Sequence, residues 1–218
     1  MAVLIEPLIL YLVLFLPGAI PQELPEFIPF SIYQELNRIL IYDIPSLALI
    51  WYLVLRAKSF RDWGMVRPRF HDFLSFIIAL PGILLTSFCI SALSSVFDGI
   101  IAGIPVSSPV ETPHGLVQWL IMAVSCMSTG YLEESYFRYY LVQRLEDAGI
   151  GQGRRIFLSC LFFSLCHLYE GPWGVLNAAL AGMLLSLVFM RQKSLHGIAW
   201  AHGAYNAFVY TESLLKCW

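Results

Sequence analysis

Rare polar side chains stand inside three apolar segments of the sequence, and their types suit acid–base chemistry: Glu133, Glu134, Arg138, His167, His202 and Asn206. A carboxylate can take a proton from water and later give it to a leaving amine. Imidazole and carboxamide groups can orient the water and stabilise the oxyanion of a tetrahedral intermediate. The set is therefore suited to hydrolysis of an acyl bond by water.

Helical spacing predicts how these side chains face each other. Glu134 and Arg138 are four residues apart, with the acid first, which favours an ion pair. Glu133 lies about 100° further around the helix, so it can face a site while Arg138 holds Glu134. His202 and Asn206 are also four apart and share a face. Neither serine nor cysteine is spaced as a nucleophile, because Ser164 and Cys166 point off the face of His167.

The acidic and imidazole groups are predicted to lie at one depth. Glu133, His167 and His202 lie nine to twelve residues from the nearest basic residue of an adjoining loop. At a helical rise of about 1.5 Å per residue this is roughly 14–18 Å, and Asn206 is about 20 Å away. Scattered polar residues have no reason to share a depth, so we expect one polar site near the middle of a bilayer.

The elements that carry this site are predicted to be membrane helices. Of 218 residues, 58% are hydrophobic and only 13% are charged, whereas soluble domains carry about 25% charged residues. This composition argues against a soluble enzyme or a disordered protein, and the net charge of −2 argues against a nucleic-acid partner. The five cysteines lack a C-x-x-C spacing and indicate neither a disulfide framework nor a metal site.

Seven segments approach the roughly 20 apolar residues that a spanning helix needs: residues 2–20, 39–55, 73–97, 115–137, 156–169, 171–190 and 195–211. The expected fold is an all-α polytopic transmembrane bundle of about seven or eight spans. We expect residues 1–110 to supply N-terminal transmembrane helices and residues 111–212 to form a catalytic helix core.

The charges of the loops predict the orientation. Basic residues cluster between spans two and three, four and five, and six and seven: Arg56, Lys58, Arg61, Arg67, Arg69, Arg144, Arg154, Arg155, Arg191 and Lys193. The other loops carry mostly acids, among them Glu23, Glu26, Asp98, Glu111 and Glu170, with Arg38 as the exception. The positive-inside rule then places the N-terminus in the cytoplasm of a cell (inner) membrane protein.

The order E-E-x-x-x-R, F-x-x-x-H, H-x-x-x-N resembles the CAAX protease and bacteriocin-processing (CPBP, or Abi) family of intramembrane endopeptidases. The motifs read Glu133-Glu134 to Arg138, Phe163 to His167, and His202 to Asn206, and the resemblance covers about residues 115–209. It implies an Rce1-like helical bundle with a cavity open to the cytoplasm and a metal-free, glutamate-type protease.

The resemblance also implies residue roles. Glu133 would activate water, His167 would assist it, and His202 with Asn206 would bind the oxyanion, with Glu134 and Arg138 as supporting residues. The substrate would be a membrane-tethered peptide or protein tail. Family members act in prenylated-protein processing, bacteriocin or signal-peptide maturation and removal of sorting segments, and this sequence does not choose among them.

Other interpretations stay open. Glu133, His167 and His202 could bind Zn²⁺ as a His₂Glu set with water as the fourth ligand, although Asn206 would then have no task. Intramembrane Glu and His also build proton relays, which would suit a transporter or binding scaffold. A family member that has lost catalysis is a further alternative. Taken singly, each residue could also be structural, as an ion pair with Arg138 or a packing histidine.

Overall fold

The computed structural model describes residues 2–20, 28–57, 68–97 and 111–215, which form seven helices. Three helices contain a π-helical middle part: α1 (Ala2–Leu10, Tyr11–Phe15, Leu16–Ala19), α2 (Ile32–Asn37, Arg38–Asp43, Ile44–Ala57) and α4 (Gly115–Glu134, Ser135–Tyr140, Leu141–Asp147). The others are α3 (Phe70–Phe97), α5 (Gln152–Leu165), α6 (Gly171–Gln192) and α7 (Leu195–Leu215), with a 3₁₀ turn at Leu168–Glu170. The predicted all-α class is confirmed.

Some predicted features lie outside the described residues. These are the basic residues Lys58, Arg61 and Arg67, the acidic residues Glu23, Glu26 and Asp98, and the C-terminal residues 216–218.

The predicted number of spans is wrong. Within the described ranges, four helices are long and apolar enough to cross a membrane: Ile32–Arg56, Phe70–Phe97, Gly115–Asp147 and Leu168–Gln192. They identify the chain as a multi-pass membrane protein. The other three predicted spans, residues 2–20, 156–169 and 195–211, are helical but do not meet this standard.

Each of these three helices falls short of a membrane span for a physical reason. The apolar part of α1 covers only Leu4–Phe15, about 18 Å of helix. Helix α5 has 14 residues, or about 21 Å, against a hydrocarbon thickness of roughly 30 Å. Helix α7 has 21 residues, but its polar side chains lower its hydropathy. Its first turns are buried against other helices, so they need not be apolar toward lipid.

Helix α7 packs mainly on α4 and α3, while α6 packs on α3 and α5. Glycines let α4 and α7 approach closely: a Cβ added at Gly130 would lie 2.8 Å from the Ala199 carbonyl oxygen. Small residues commonly permit such backbone contact between membrane helices. At the start of α7 the Ser194 hydroxyl donates to Asp72 at 2.5 Å, which places the first turns of α3 and α7 together. The bundle thereby brings the polar segments of α4 and α7 face to face.

Candidate active site

Glu134 is the centre of a buried charged group. Its carboxylate and the Arg138 side chain are both fully buried, and Arg138 Nε lies 3.2 Å from Glu134 Oε2. The other carboxylate oxygen, Oε1, lies 2.8 Å from His202 Nδ1 across the α4–α7 contact. The spacing favoured the ion pair on α4, and the structure adds His202 as a second partner of the same carboxylate.

The E-E-x-x-x-R motif lies where α4 changes from α- to π-helix. Glu134 is the last α-helical residue, and Arg138 lies within the π-helical part Ser135–Tyr140. π-Helical turns are rare and occur frequently at functional sites. The Ser159 hydroxyl of α5 donates to the Phe137 carbonyl oxygen at 2.7 Å, and the Trp51 indole donates to the Ser135 hydroxyl at 3.1 Å. Two neighbouring helices therefore hold this irregular turn in place.

Arg138 is accommodated by an aromatic ring and a glycine that sequence reasoning did not assign to the site. Its guanidinium carbon lies 4.1 Å from the centre of the Phe163 ring, a cation–π distance. On α6, a Cβ at Gly182 would come within 3.0 Å of both the Arg138 guanidinium and the Phe163 ring. The sequence signal for Phe163 is its place in the F-x-x-x-H motif.

Glu133 is the more accessible carboxylate of the pair. Its side chain is 19% exposed, and its Oε2 lies 3.5 Å from His202 Nε2. The two nitrogens of one imidazole thus face two adjacent carboxylates of α4. Glu133 is free of the ion pair with Arg138, as the 100° rotation between neighbouring residues requires.

His167 follows the end of α5, in the turn before the 3₁₀ segment. Its Nδ1 lies 2.9 Å from the Phe163 carbonyl oxygen. Its ring is 4.7 Å from the Phe163 ring, which is in turn 5.8 Å from the His202 ring, centre to centre. The structure brings His167 to the same cluster through Phe163. Among the described residues, His167 and Glu133 are joined by neither a hydrogen bond nor an ion pair.

Asn206 lies one turn beyond His202 on α7 and is half-buried. Among the described residues its side chain has no hydrogen-bond partner. The Ser164 hydroxyl and the Cys166 thiol donate to carbonyl oxygens of their own helix, at Leu161 and Phe162. Neither the Ser164 hydroxyl nor the Cys166 thiol is therefore directed at the cluster.

Residues 115–208 match the family model described as Type II CAAX prenyl endopeptidase Rce1-like. This range includes all three motifs and every residue of the buried cluster. The segment is an Rce1-like CAAX prenyl endopeptidase domain. Neither the curated proteins nor the solved structures yield a match to the chain.

The match assigns residues 115–208 to a protease family, whose general class of substrate is a protein or peptide. Among the described residues, no group of three His, Cys, Asp or Glu side chains is arranged to hold a metal ion. Both imidazole nitrogens of His202 face carboxylates, and His167 Nδ1 faces a backbone carbonyl. The zinc alternative for Glu133, His167 and His202 stays a prediction.

Proposed function

We propose that this protein is an intramembrane endopeptidase that hydrolyses a peptide bond of a membrane-associated peptide or protein tail. Glu133 activates water, His167 assists, and His202 with Asn206 stabilises the oxyanion. The observation that carries this proposal is the placement of Glu133: a partly accessible carboxylate beside a buried, neutralised pair in a family-matched segment.

The hydrogen bonds of the two histidines support their different roles. The Phe163 carbonyl oxygen can only accept, so the proton of neutral His167 resides on Nδ1 and its Nε2 presents a lone pair. That nitrogen can accept a hydrogen bond from the attacking water. For His202, a carboxylate faces each nitrogen, so both can carry protons. Its Nε2–H is then available as a donor to the oxyanion.

The charges of the cluster can balance. The carboxylates of Glu133 and Glu134 are opposed by the guanidinium of Arg138 and, when it carries both protons, by the imidazolium of His202. Isolated charges in a medium of low dielectric constant are very costly, whereas paired ones are tolerated. A neutral cluster can therefore keep a reactive carboxylate inside the bundle.

The reaction follows from these positions. Glu133 removes a proton from water, whose oxygen attacks the substrate carbonyl carbon. The Asn206 amide and His202 donate to the oxygen as it becomes negative. Protonated Glu133 then gives its proton to the departing amine as the carbon–nitrogen bond breaks. Preorganised donors of this kind act most strongly where water is excluded.

We further propose that the N-terminus is cytoplasmic and that cleavage occurs in the cytoplasmic half of the bilayer. Basic Arg69, Arg191 and Lys193 flank the Asp72–Ser194 contact, so they lie at one end of the bundle. By the positive-inside rule this is the cytoplasmic end. The division into 1–110 and 111–212 stays a prediction.

The test is cleavage by the purified full chain in lipid vesicles. Quenched fluorescent peptides carrying a farnesylated C-terminal CaaX sequence or an N-terminal acyl chain serve as substrates, and mass spectrometry locates the cut. Wild type should cleave at least one class. Glu133→Gln should lose at least 10²-fold in kcat, because it removes the base.

Glu146→Gln is a matched control on the same helix, since the Glu146 side chain is 56% exposed and pairs with Arg155 away from the cluster. It should retain full activity. Equal cleavage by wild type, Glu133→Gln and His167→Ala would refute the catalytic assignment. Binding of the peptides with no cleavage by wild type would favour a family member that has lost catalysis.

A further inference from the structure

Asp43 is a buried carboxylate that the proposed reaction does not use. It lies at the end of the π-helical part of α2 and has no exposed surface. Its Oδ2 accepts hydrogen bonds from Ser128 at 2.5 Å and Thr129 at 3.0 Å. Its Oδ1 has no hydrogen-bond partner among the described residues. Leaving a buried acceptor without a hydrogen bond is unfavourable, so this oxygen requires a donor.

The position of this oxygen relative to Glu133 follows from α4. Thr129 and Glu133 are four residues apart and share a face of the helix, separated by about 6 Å along its axis. The hydrogen bond from Thr129 to Asp43 Oδ2 places the Asp43 carboxylate against this part of α4. Arg38 does not occupy Oδ1, because its guanidinium hydrogen bonds to Ser125 and pairs with Glu35. The Asp43 carboxylate therefore meets α4 one helical turn before the proposed base.

A peptide substrate would bring a matching donor. Backbone N–H groups that leave water for the interior of a membrane must find acceptors. An extended chain advances about 3.3 Å per residue, so about 6 Å corresponds to two residues. We propose that Asp43 Oδ1 is a substrate subsite, which accepts the backbone N–H of an extended peptide about two residues from the scissile bond. This inference rests on the proposed role of Glu133 in that reaction.

The experiment measures binding separately from cleavage. The Glu133→Gln protein in nanodiscs is titrated with dye-labelled farnesylated and N-palmitoylated peptides, each also made with a single N-methylated amide at successive positions. N-methylation at one position should weaken binding about tenfold or more, because it leaves the buried acceptor without its hydrogen bond. Adding Asp43→Asn should weaken binding of the unmodified peptide similarly. Asp43→Asn combined with the critical N-methylated peptide should lose no more affinity than either change alone, because both remove the same hydrogen bond.

Asp72→Asn in the same Glu133→Gln background is the matched control. Asp72 is also buried, but both oxygens have donors, the Ser194 hydroxyl and the Arg69 N–H. It should leave peptide affinity unchanged, and the thermal midpoints of the two Asp→Asn proteins should agree.

Additive effects at every amide, an Asp43→Asn protein with unchanged affinity, or no binding of either peptide would overturn the inference. The proposed function is decided separately by wild-type cleavage, which can stand when this subsite is refuted.

Discussion

Replacement of Glu134 by Gln should destabilise the fold strongly although it changes only one atom. The carboxylate and the Arg138 guanidinium are fully buried with 3.2 Å between Oε2 and Nε. At an effective dielectric constant of about 20, the gross attraction at that distance is about 5 kcal/mol. Removing one member leaves the other charge buried and uncompensated, which typically costs 3–5 kcal/mol. We expect the free energy of unfolding to fall by about 3–5 kcal/mol.

The neighbouring residue supplies the control. Glu133→Gln is the same substitution one position earlier, on a side chain that is 19% exposed and has only the 3.5 Å contact with His202. This substitution should lower the free energy of unfolding by less than about 1 kcal/mol, as for ion pairs in contact with solvent. Reversible unfolding in mixed detergent micelles, followed by tryptophan fluorescence, gives both values under identical conditions.

A double-mutant cycle isolates the ion pair from the rest of the site. Arg138→Met alone leaves Glu134 with His202 as its remaining partner, and the double variant Glu134→Gln/Arg138→Met removes both charges of the pair. Replacing both members of a buried pair is often close to neutral, so the double variant should recover at least half of the loss. Additive losses, or equal losses for Glu133→Gln and Glu134→Gln, would refute the charge-balance argument.

The remaining predictions concern the oxyanion, helix packing and metal. Asn206→Ala should lower kcat by about 10²–10³-fold with little change in KM, because the Asn206 amide donates to the oxyanion in the transition state. Steady-state kinetics on the cleaved peptide measure both constants, and a change in KM alone would contradict this role. Gly130→Ala should reduce thermal stability and activity together, because its Cβ would meet backbone atoms of α7, whereas Gly153→Ala meets nothing within 4 Å and should be tolerated. Cleavage should persist in excess chelator, and loss that added Zn²⁺ restores would favour a metalloprotease.

The sequence predicted the members of the cluster better than their contacts. The three motifs and their common depth selected Glu133, Glu134, Arg138, His167 and His202 because helical spacing fixes which faces residues share. The contact of His202 with Glu134 as well as Glu133 could not be predicted, because it depends on how closely α4 and α7 approach. That approach is set by Gly130 and Gly203, whose effect is visible only once the helices are packed.

Asp43 illustrates a second limit of sequence reasoning. It belongs to none of the three motifs, and a single acid in an apolar segment can either face a cavity or reach toward the membrane surface. Its fully buried position follows from the π-helical part of α2, which directs it at Ser128 and Thr129 of α4. Hydrophobic patterning does not report where a helix departs from regular α geometry, so the pairing of α2 with α4 was not predictable.

The wrong span count and the prediction that α7 carries site residues have one cause. Helix α7 has 21 residues, long enough to cross a bilayer, and falls below the hydropathy of a spanning helix because it carries groups such as His202, Asn206 and Tyr205. Those groups are tolerated because α3 and α4 cover the helix, and because His202 contacts Glu134 and the Tyr205 hydroxyl accepts a hydrogen bond from Asn177. Hydropathy measures compatibility with lipid, whereas a helix that carries a catalytic site inside a bundle is surrounded mainly by protein. In such a bundle, the helix that fails the hydropathy standard despite adequate length is a good place to look for the chemistry.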